Sequence, residues 1–430
     1  MAEPLPDLPP AILSEAPAIS SQASGRPLDR RLLANFSYLG VANLFYAFSQ
    51  WGMLVVTAKL GSVAMTAQLS LGLAVAVPVM IFMGAGLRTI ITADVQQRFR
   101  FGEYLSARLG LGLVGLVGVI LFGLVARFSP QVLGIAALVG VIKFIEGLQE
   151  ICWGVSQRHE QMQAVGISRI LRAITALAGL AAGILLSGQL WVGVVMWGAL
   201  WGAIFVFYDL PHARHLESLR ISLDWPRIKT IIWRALPLAF VWGLISLNDK
   251  APQYLLNWTQ GEEAVGYFAP IAYILQGLGL GVSAAGEAMI PRLARAYHSD
   301  KNRFLRNGLR LAGFGALLGA AGLVFAILFG KPLLTLLYRP EYAVYAPVLV
   351  ALMAVGILRF AQAGVGTAVT AAGLFRQQVP VFLMTLLATL LAGWLLIPRW
   401  GLLGAAAAIG TGFVVSLSLL MLIFLHHAKN

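Results

Sequence analysis

Apolar runs of about twenty residues, the length a helix needs to cross the hydrocarbon core of a bilayer, recur from one end of the chain to the other. They fall at 33–58, 63–92, 107–127, 130–156, 165–187, 190–209, 232–256, 264–290, 309–329, 343–371, 379–397 and 403–425, separated by short polar breaks. Inside a bilayer each run must satisfy its own backbone hydrogen bonds, so the pattern predicts twelve spanning helices and an all-α polytopic membrane protein. Composition agrees: 59% of residues are hydrophobic and 11% charged, outside the range of a soluble domain.

The charges that remain set the orientation. Segments on one side of the predicted helices carry most of the Lys and Arg, whereas the other side holds only Lys59, Arg127, Lys331, Arg339 and Arg399. By the positive-inside rule the basic side and both termini face the cytoplasm. That placement accounts for the net charge of +13 without nucleic acid as a partner. The basic loops 211–234 and 292–310 are expected to meet anionic lipid head groups. Residues 1–28 read as a disordered cytoplasmic tail rich in Pro, Ser and Ala, 29–210 as a first six-helix bundle, 211–229 as a cytoplasmic linker and 230–427 as a second bundle.

Little in the sequence supports chemistry. There is one cysteine, Cys152, and all six histidines lie in cytoplasmic loops or the tail. Gly330-Lys331 is followed by Pro332 and cannot open a nucleotide-binding loop. The outer loops are too short to form a domain. We expect no enzyme activity, no metal and no cofactor.

Two halves of the chain echo each other. GVIKFIEG at 140–147 aligns with GILRFAQA at 356–363, pairing Gly140 with Gly356, Lys143 with Arg359, Phe144 with Phe360 and Glu146 with Gln362. A weaker echo pairs Gly61 with Gly261, Ala64 with Ala264 and Gly86 with Gly286. Each half holds six helices running in the same sense, so the pseudo-twofold axis stands along the membrane normal and a substrate would pass between the halves.

Ionised side chains inside a membrane are costly and therefore informative. Lys143, Glu146, Glu150, Gly154 and Gln157 share one stripe of the fourth helix. Equal counting from the 158–164 turn sets Glu150 opposite Arg172 as a structural ion pair, and Glu146 lies one turn from Lys143. Arg88, Arg169, Asp249, Lys250 and Glu287 are further intramembrane charges. Asp249 and Lys250 are adjacent and point about 100° apart, so each needs its own partner. Arg88 and Glu287 either bridge the halves as an inner gate or pair separately within them. Lys143 and Arg359 are expected to face each other across the space between the halves. Glu146, Asp249 and Glu287 are the acidic candidates for coupling to H+ or Na+.

The stretches LRTIITADVQQRFRFGEYLSARLGL (87–111) and KFIEGLQEICWGVSQRHEQMQAVGISRILRA (143–173), with LPLAFVWGLISLNDKAPQYLLNWTQGEEAVGYFAPIAYIL and MIPRLARAY (289–297), resemble the polysaccharide-flippase (Wzx-type) branch of the multidrug/oligosaccharidyl-lipid/polysaccharide exporter superfamily. That resemblance implies two pseudo-symmetric six-helix bundles around a central cavity opening alternately to each side. It implies a polyprenyl-diphosphate-linked oligosaccharide as cargo, moved to the outer leaflet in concert with polysaccharide assembly machinery. A diphosphate calls for cations, which Lys143, Arg359 and Arg88 would supply, with Gln362 and Lys250 as further polar cavity groups. The competing readings are a cation-coupled exporter of small drugs, a membrane-embedded polysaccharide polymerase or ligase, and a lipid scaffold without transport.

Overall fold

Each long apolar run becomes a helix, because a backbone in lipid has no other way to pair every N–H and C=O along a single segment. The structure is a computed structural model that describes residues 30–84, 86–94 and 96–429; the tail expected at 1–28 lies outside the described residues. The first half comprises α1 (Arg30–Leu60), α2 (Val63–Phe82), a short α3 (Leu87–Ala93), α4 (Phe101–Val125), α5 (Pro130–Arg158), α6 (Met162–Ser187) and α7 (Leu190–Ile204). A π-helical turn at Phe205–Asp209 joins α7 to α8 (Leu210–Leu216). The second half comprises α9 (Trp225–Gln260), α10 (Glu262–Ser299), α11 (Lys301–Leu337), α12 (Ala346–Ala371) and α13 (Phe375–Lys429).

Eleven helical stretches among the described residues are long and apolar enough to cross a membrane. The last of them contains two crossings. Gly401 adopts φ 53° and ψ −126°, a left-handed turn open to glycine, and it follows Pro398. Beyond it the chain runs back on itself: a Cβ on Gly404 would lie 2.3 Å from Leu396 O, and one on Gly412 would lie 2.1 Å from Thr389 Oγ1. With that hairpin the membrane-length helices among the described residues number twelve, six to each half, as the hydrophobic runs predict.

The halves repeat in packing as well as in sequence. Phe144 of α5 fills the space that a Cβ on Gly112 of α4 would need, 2.2 Å away, and Gly315 of α11 brings its backbone against Phe360 O of α12, where a Cβ would sit at 2.3 Å. In both halves, then, a glycine of the third helix lets the fourth approach closely, the usual basis of helix association in lipid. Gly61 and Gly261 each follow the first helix of a half. The third expected pair diverges: Gly86 has φ 97° at the break between α2 and α3, whereas Gly286 is buried within the unbroken α10 against Thr367. Only the former has a conformational need for glycine.

The expected linker 211–229 is partly helix, since α8 ends at Leu216 and α9 begins at Trp225. The start of α9 also packs away from its own half. Ile228, Ile231 and Ala235 are buried in one cluster with Leu87, Phe101, Tyr104 and Ile151 of the first half. The far end of α9 contributes Leu255 and Leu256 to the core of the second.

Close backbone approach makes a testable demand. A Cβ on Gly319 would lie 2.6 Å from the Ile357 Cα, while Gly313 on the same helix has nothing within 4 Å. Gly319→Leu is expected to lower the thermal midpoint of the purified protein, by the ~1–3 kcal/mol of an overpacked contact or more because the neighbour is backbone. Gly313→Leu is expected to leave it unchanged.

Candidate functional site

At one end the halves are sealed together. Arg339, in the turn before α12, donates to Lys59 O and Gly61 O at the C-terminal end of α1, where the helix dipole favours a cation. Trp51 Nε1 donates to Tyr338 Oη at 3.0 Å, and Tyr338 Oη donates to Pro270 O at 2.7 Å. Gly266 lies so close to Val63 O that a Cβ would sit 2.5 Å away. This is the end poor in basic residues.

Between that seal and the Arg-rich end lies a cavity of about 450 Å³. Its walls carry four basic side chains, Arg108, Lys143, Arg169 and Lys250, against two acidic ones, Glu146 and Glu150. Tyr46, Gln50 and Tyr273 add polar groups, and Leu73, Val77 and Met80 of α2 an apolar wall. Both halves contribute, because Lys250 comes from α9 and Tyr273 from α10.

Glu146 organises the first half's side of this wall. Its carboxylate accepts from Tyr46 Oη of α1 at 2.7 Å and from Lys143 Nζ of its own helix at 2.7 Å, and it lies 2.8 Å from Arg172 Nη2 of α6. The Arg172 side chain is fully buried, with its guanidinium 3.7 Å from the Trp201 ring centroid and 4.9 Å from that of Trp153. The aromatic faces supply the contact that water would otherwise give a buried cation.

The expected Glu150–Arg172 pair does not form. Arg172 pairs with Glu146, and Glu150 lies 3.6 Å from Arg108 Nη2 of α4. Counting from the turn assumed that α5 and α6 lie side by side, but α6 packs along α1 and α7, and α5 along α2 and α4. Arg108 is buried in a slot made by two glycines: a Cβ on Gly84 would fall 0.9 Å from its Nη1, and one on Gly147 1.9 Å from Nη2. Its Nε has no hydrogen-bond partner.

Lys143 and Arg359 do not face each other. Arg359 sits in a separate recess of about 20 Å³ lined by its own half, with Asn248, Gln253 and Thr389 among the walls. There it lies 3.5 Å from Asp249 Oδ1 and 5.3 Å from the Phe413 ring centroid. The cation that the second half presents to the Lys143 cavity is Lys250, which is buried and donates to Tyr273 Oη at 3.0 Å. Among the described residues it has no carboxylate partner. Asp249 and Lys250 thus serve different spaces, as their angular separation requires. Gln362 lines neither the cavity nor the recess.

Arg88 and Glu287 do not bridge the halves. Arg88 Nε donates to Gln157 Oε1 at 3.0 Å within the first half, and Glu287 is exposed and makes no ion pair among the described residues. Arg88, Arg169 and Arg172 instead gather around Trp153, at 5.4, 5.0 and 4.9 Å from its ring. Arg169 also donates to Asn43 Oδ1. Among the described residues no group of three or more His, Cys, Asp or Glu converges to hold a metal ion. Tyr46, an aromatic among aromatics, and Arg108, at the start of an apolar run, carry no signal in the sequence that marks them as cavity residues. Asp209 is a buried acid whose one sequence signal is its place two residues before Pro211.

Glu146 compensates two buried cations at once, whereas Glu150 is part-exposed and has a longer contact. Glu146→Gln is therefore expected to cut the yield of folded protein in a detergent size-exclusion assay, in keeping with the ~3–5 kcal/mol lost when a buried charge is stranded. Lys143→Gln, which leaves Arg172 to compensate the carboxylate, is expected to fold better than Glu146→Gln. Equal yields for the two variants would contradict the geometry.

No protein-family model matches the chain. It is 27% identical over 393 residues to the capsular polysaccharide biosynthesis protein CapF of Staphylococcus aureus, an alignment covering 90% of this chain and 97% of that protein. Among solved structures, the inward-facing form of a multidrug resistance MATE family transporter of the MOP superfamily superposes with a TM-score of 0.73 at 15% identity, covering 89% of this chain and 94% of that one. The lipid II flippase MurJ in an inward closed conformation gives 0.74 at 10% identity, covering 90% and 89%. An outward-facing MATE transporter gives 0.60 at 15% identity, covering 92% and 95%, a poorer fit in keeping with the seal formed by Arg339, Trp51 and Tyr338. The chain is thus similar in sequence to a capsular polysaccharide biosynthesis protein, and it shares the fold of transporters of the multidrug/oligosaccharidyl-lipid/polysaccharide (MOP) superfamily.

Proposed function

We propose that the protein is a flippase that carries a polyprenyl-diphosphate-linked oligosaccharide from the inner to the outer leaflet of a bacterial cytoplasmic membrane, for polysaccharide export. The observation that carries the proposal is the sign of the cavity: four basic side chains against two acidic ones, with Lys250 free of any carboxylate among the described residues. In a space of low dielectric a surplus of cations favours an anionic head group and opposes a cationic drug. Arg108 offers a guanidinium at the cavity wall, and Lys143 and Lys250 offer point charges from opposite halves. Hydroxyls of Tyr46 and Tyr273 and the amide of Gln50 suit sugar hydroxyls. The relative named for capsular polysaccharide biosynthesis and the flippase among the structural neighbours support the same cargo class.

In this reading the seal at Arg339 is the outer gate and the cavity receives its cargo from the cytoplasmic side. Glu146 holds Lys143 and Arg172 in place while the cavity is empty. As the halves rock, the head group passes between cations of both halves, Lys143 and Arg108 on one side and Lys250 on the other. Asp249 and Arg359 act within the second half's own recess, as a brace or as an ion-coupling pair.

Two measurements test this. In cells lacking the chain, lipid-linked sugar is expected to accumulate on the inner leaflet; unpolymerised units on the outer leaflet would point to a polymerase or ligase, and restored efflux of cationic dyes by the chain to a drug exporter. Lys250→Gln is expected to lower complementation at least about tenfold at near-normal protein level, the scale of one lost charge contact of about 1.4 kcal/mol. Lys250→Arg is expected to retain more. For orientation, reporter fusions at residues 215 and 300 should read cytoplasmic and at 260 and 335 external.

A further inference from the structure

Asp209 is a buried acid that the cavity chemistry above leaves unused. It ends the π-helical turn at Phe205–Asp209, where the Leu210 N–H reaches back to Phe205 O and Pro211 denies the helix its next regular bond. Such turns inside membrane helices are frequent at functional positions. The residue is 4% exposed and, among the described residues, no cation lies within ion-pair distance of it. A buried carboxylate held without a cation is expensive to keep ionised.

Its partners can serve either protonation state. Gln149 Nε2 donates to Oδ2 at 2.8 Å and Trp153 Nε1 to Oδ1 at 3.1 Å, with the Ser168 hydroxyl alongside, 3.1 Å from the same Trp153 nitrogen. Gln149 Oε1 has no partner. A hydroxyl can turn from donor to acceptor and an amide can rotate to present its oxygen, so a neutral Asp209 would find an acceptor where the ionised one finds donors. A carboxylate meant to stay ionised is usually met by fixed cations, as Glu146 is by Lys143 and Arg172. The other titratable or charged groups around Asp209 are Cys152 of α5, Arg172 of α6 acting through space, and Tyr208 and Arg214 on its own segment. One turn on, half-buried His212 has a buried Nε2 without a partner and stacks on Tyr208, on the side toward the Arg-rich end.

We propose that Asp209 is a proton-binding site of the first half, reached from the Arg-rich end and read by the cavity through Trp153. The Trp153 indole bonds the carboxylate with its N–H while its ring packs beside Arg88, Arg169 and Arg172 and lines the cavity. Negative charge entering the cavity repels an ionised Asp209 and competes for the same guanidinium charge. A proton on Asp209 and an anion in the cavity therefore stabilise each other, and by linkage each strengthens binding of the other. The proton site stands on its own geometry; its link to an anion rests on the flippase reading.

The test is infrared difference spectroscopy of the full chain in lipid, titrated from mildly alkaline to mildly acid pH. The carbonyl stretch of a neutral carboxylic acid is expected to appear and to be absent in Asp209→Asn, whose amide Gln149 can accommodate by rotating. A wild-type band that persists in Asp209→Asn overturns the proposal. If that variant does not fold, carboxyl-13C aspartate in the Asp249→Asn chain replaces it: a band that shifts on labelling supports the assignment, and one that does not overturns it. Adding inorganic pyrophosphate should move the midpoint upward by about one pH unit, a tenfold coupling. Pyrophosphate that raises the thermal midpoint but leaves the titration unmoved overturns the link to the cavity. Pyrophosphate that does neither counts against the flippase reading, while the loss of the band in Asp209→Asn still supports the proton site.

Discussion

One carboxylate holds the first half's side of the cavity wall together. Glu146 draws Tyr46 of α1, Lys143 of α5 and Arg172 of α6 to a single point, so three helices are registered by one charge. A cation as deep as Arg172 would not survive in lipid-like surroundings without a counter-charge and the aromatic faces of Trp153 and Trp201. Because Glu146 is already shared among three partners, it only partly offsets the cations, and the cavity keeps a positive balance. The same contact that ties the helices therefore sets the sign of the space they enclose.

The architecture was legible because it follows from solvent. Length and hydropathy fix where helices must lie, and Gly401 with Pro398 marks the hairpin that turns eleven continuous stretches into twelve crossings. The repeat of GVIKFIEG in GILRFAQA also carried real packing information, since Phe144 and Phe360 each meet a glycine of the neighbouring third helix. The same repeat was misleading for charge. Lys143 opens to the space between the halves, whereas Arg359 turns to Asp249 inside its own half. A sequence alignment preserves the residue's place on its helix, but which way a side chain of that length bends depends on the nearest counter-charge, and that is a property of three dimensions.

Helix neighbourhood was the second thing out of reach. Adjacent helices in sequence were paired by counting, yet α6 packs along α1, so Arg172 met Glu146 and left Glu150 to Arg108. Arg108 has no signal of its own in the sequence, because nothing in one dimension shows that Gly84 and Gly147, far apart in the chain, together leave room for a guanidinium. Lys250 could be named as an intramembrane charge but not placed in the same cavity as Lys143.

The divided packing of α9 has a mechanical consequence. Its first turns are bound into the core of the first half through Ile228, Ile231 and Ala235, and its last turns into the second through Leu255 and Leu256. The joint between the halves is therefore a helix anchored at both ends, and the eight residues at 217–224 lie outside the load path. Any rotation of one half against the other must be taken up within α9 itself, between the two anchors, where Pro237 leaves a carbonyl without its helical partner. A hinge of that kind transmits torque as well as permitting motion, so a disturbance at one end of α9 is felt at the other, which is also the end that carries Lys250.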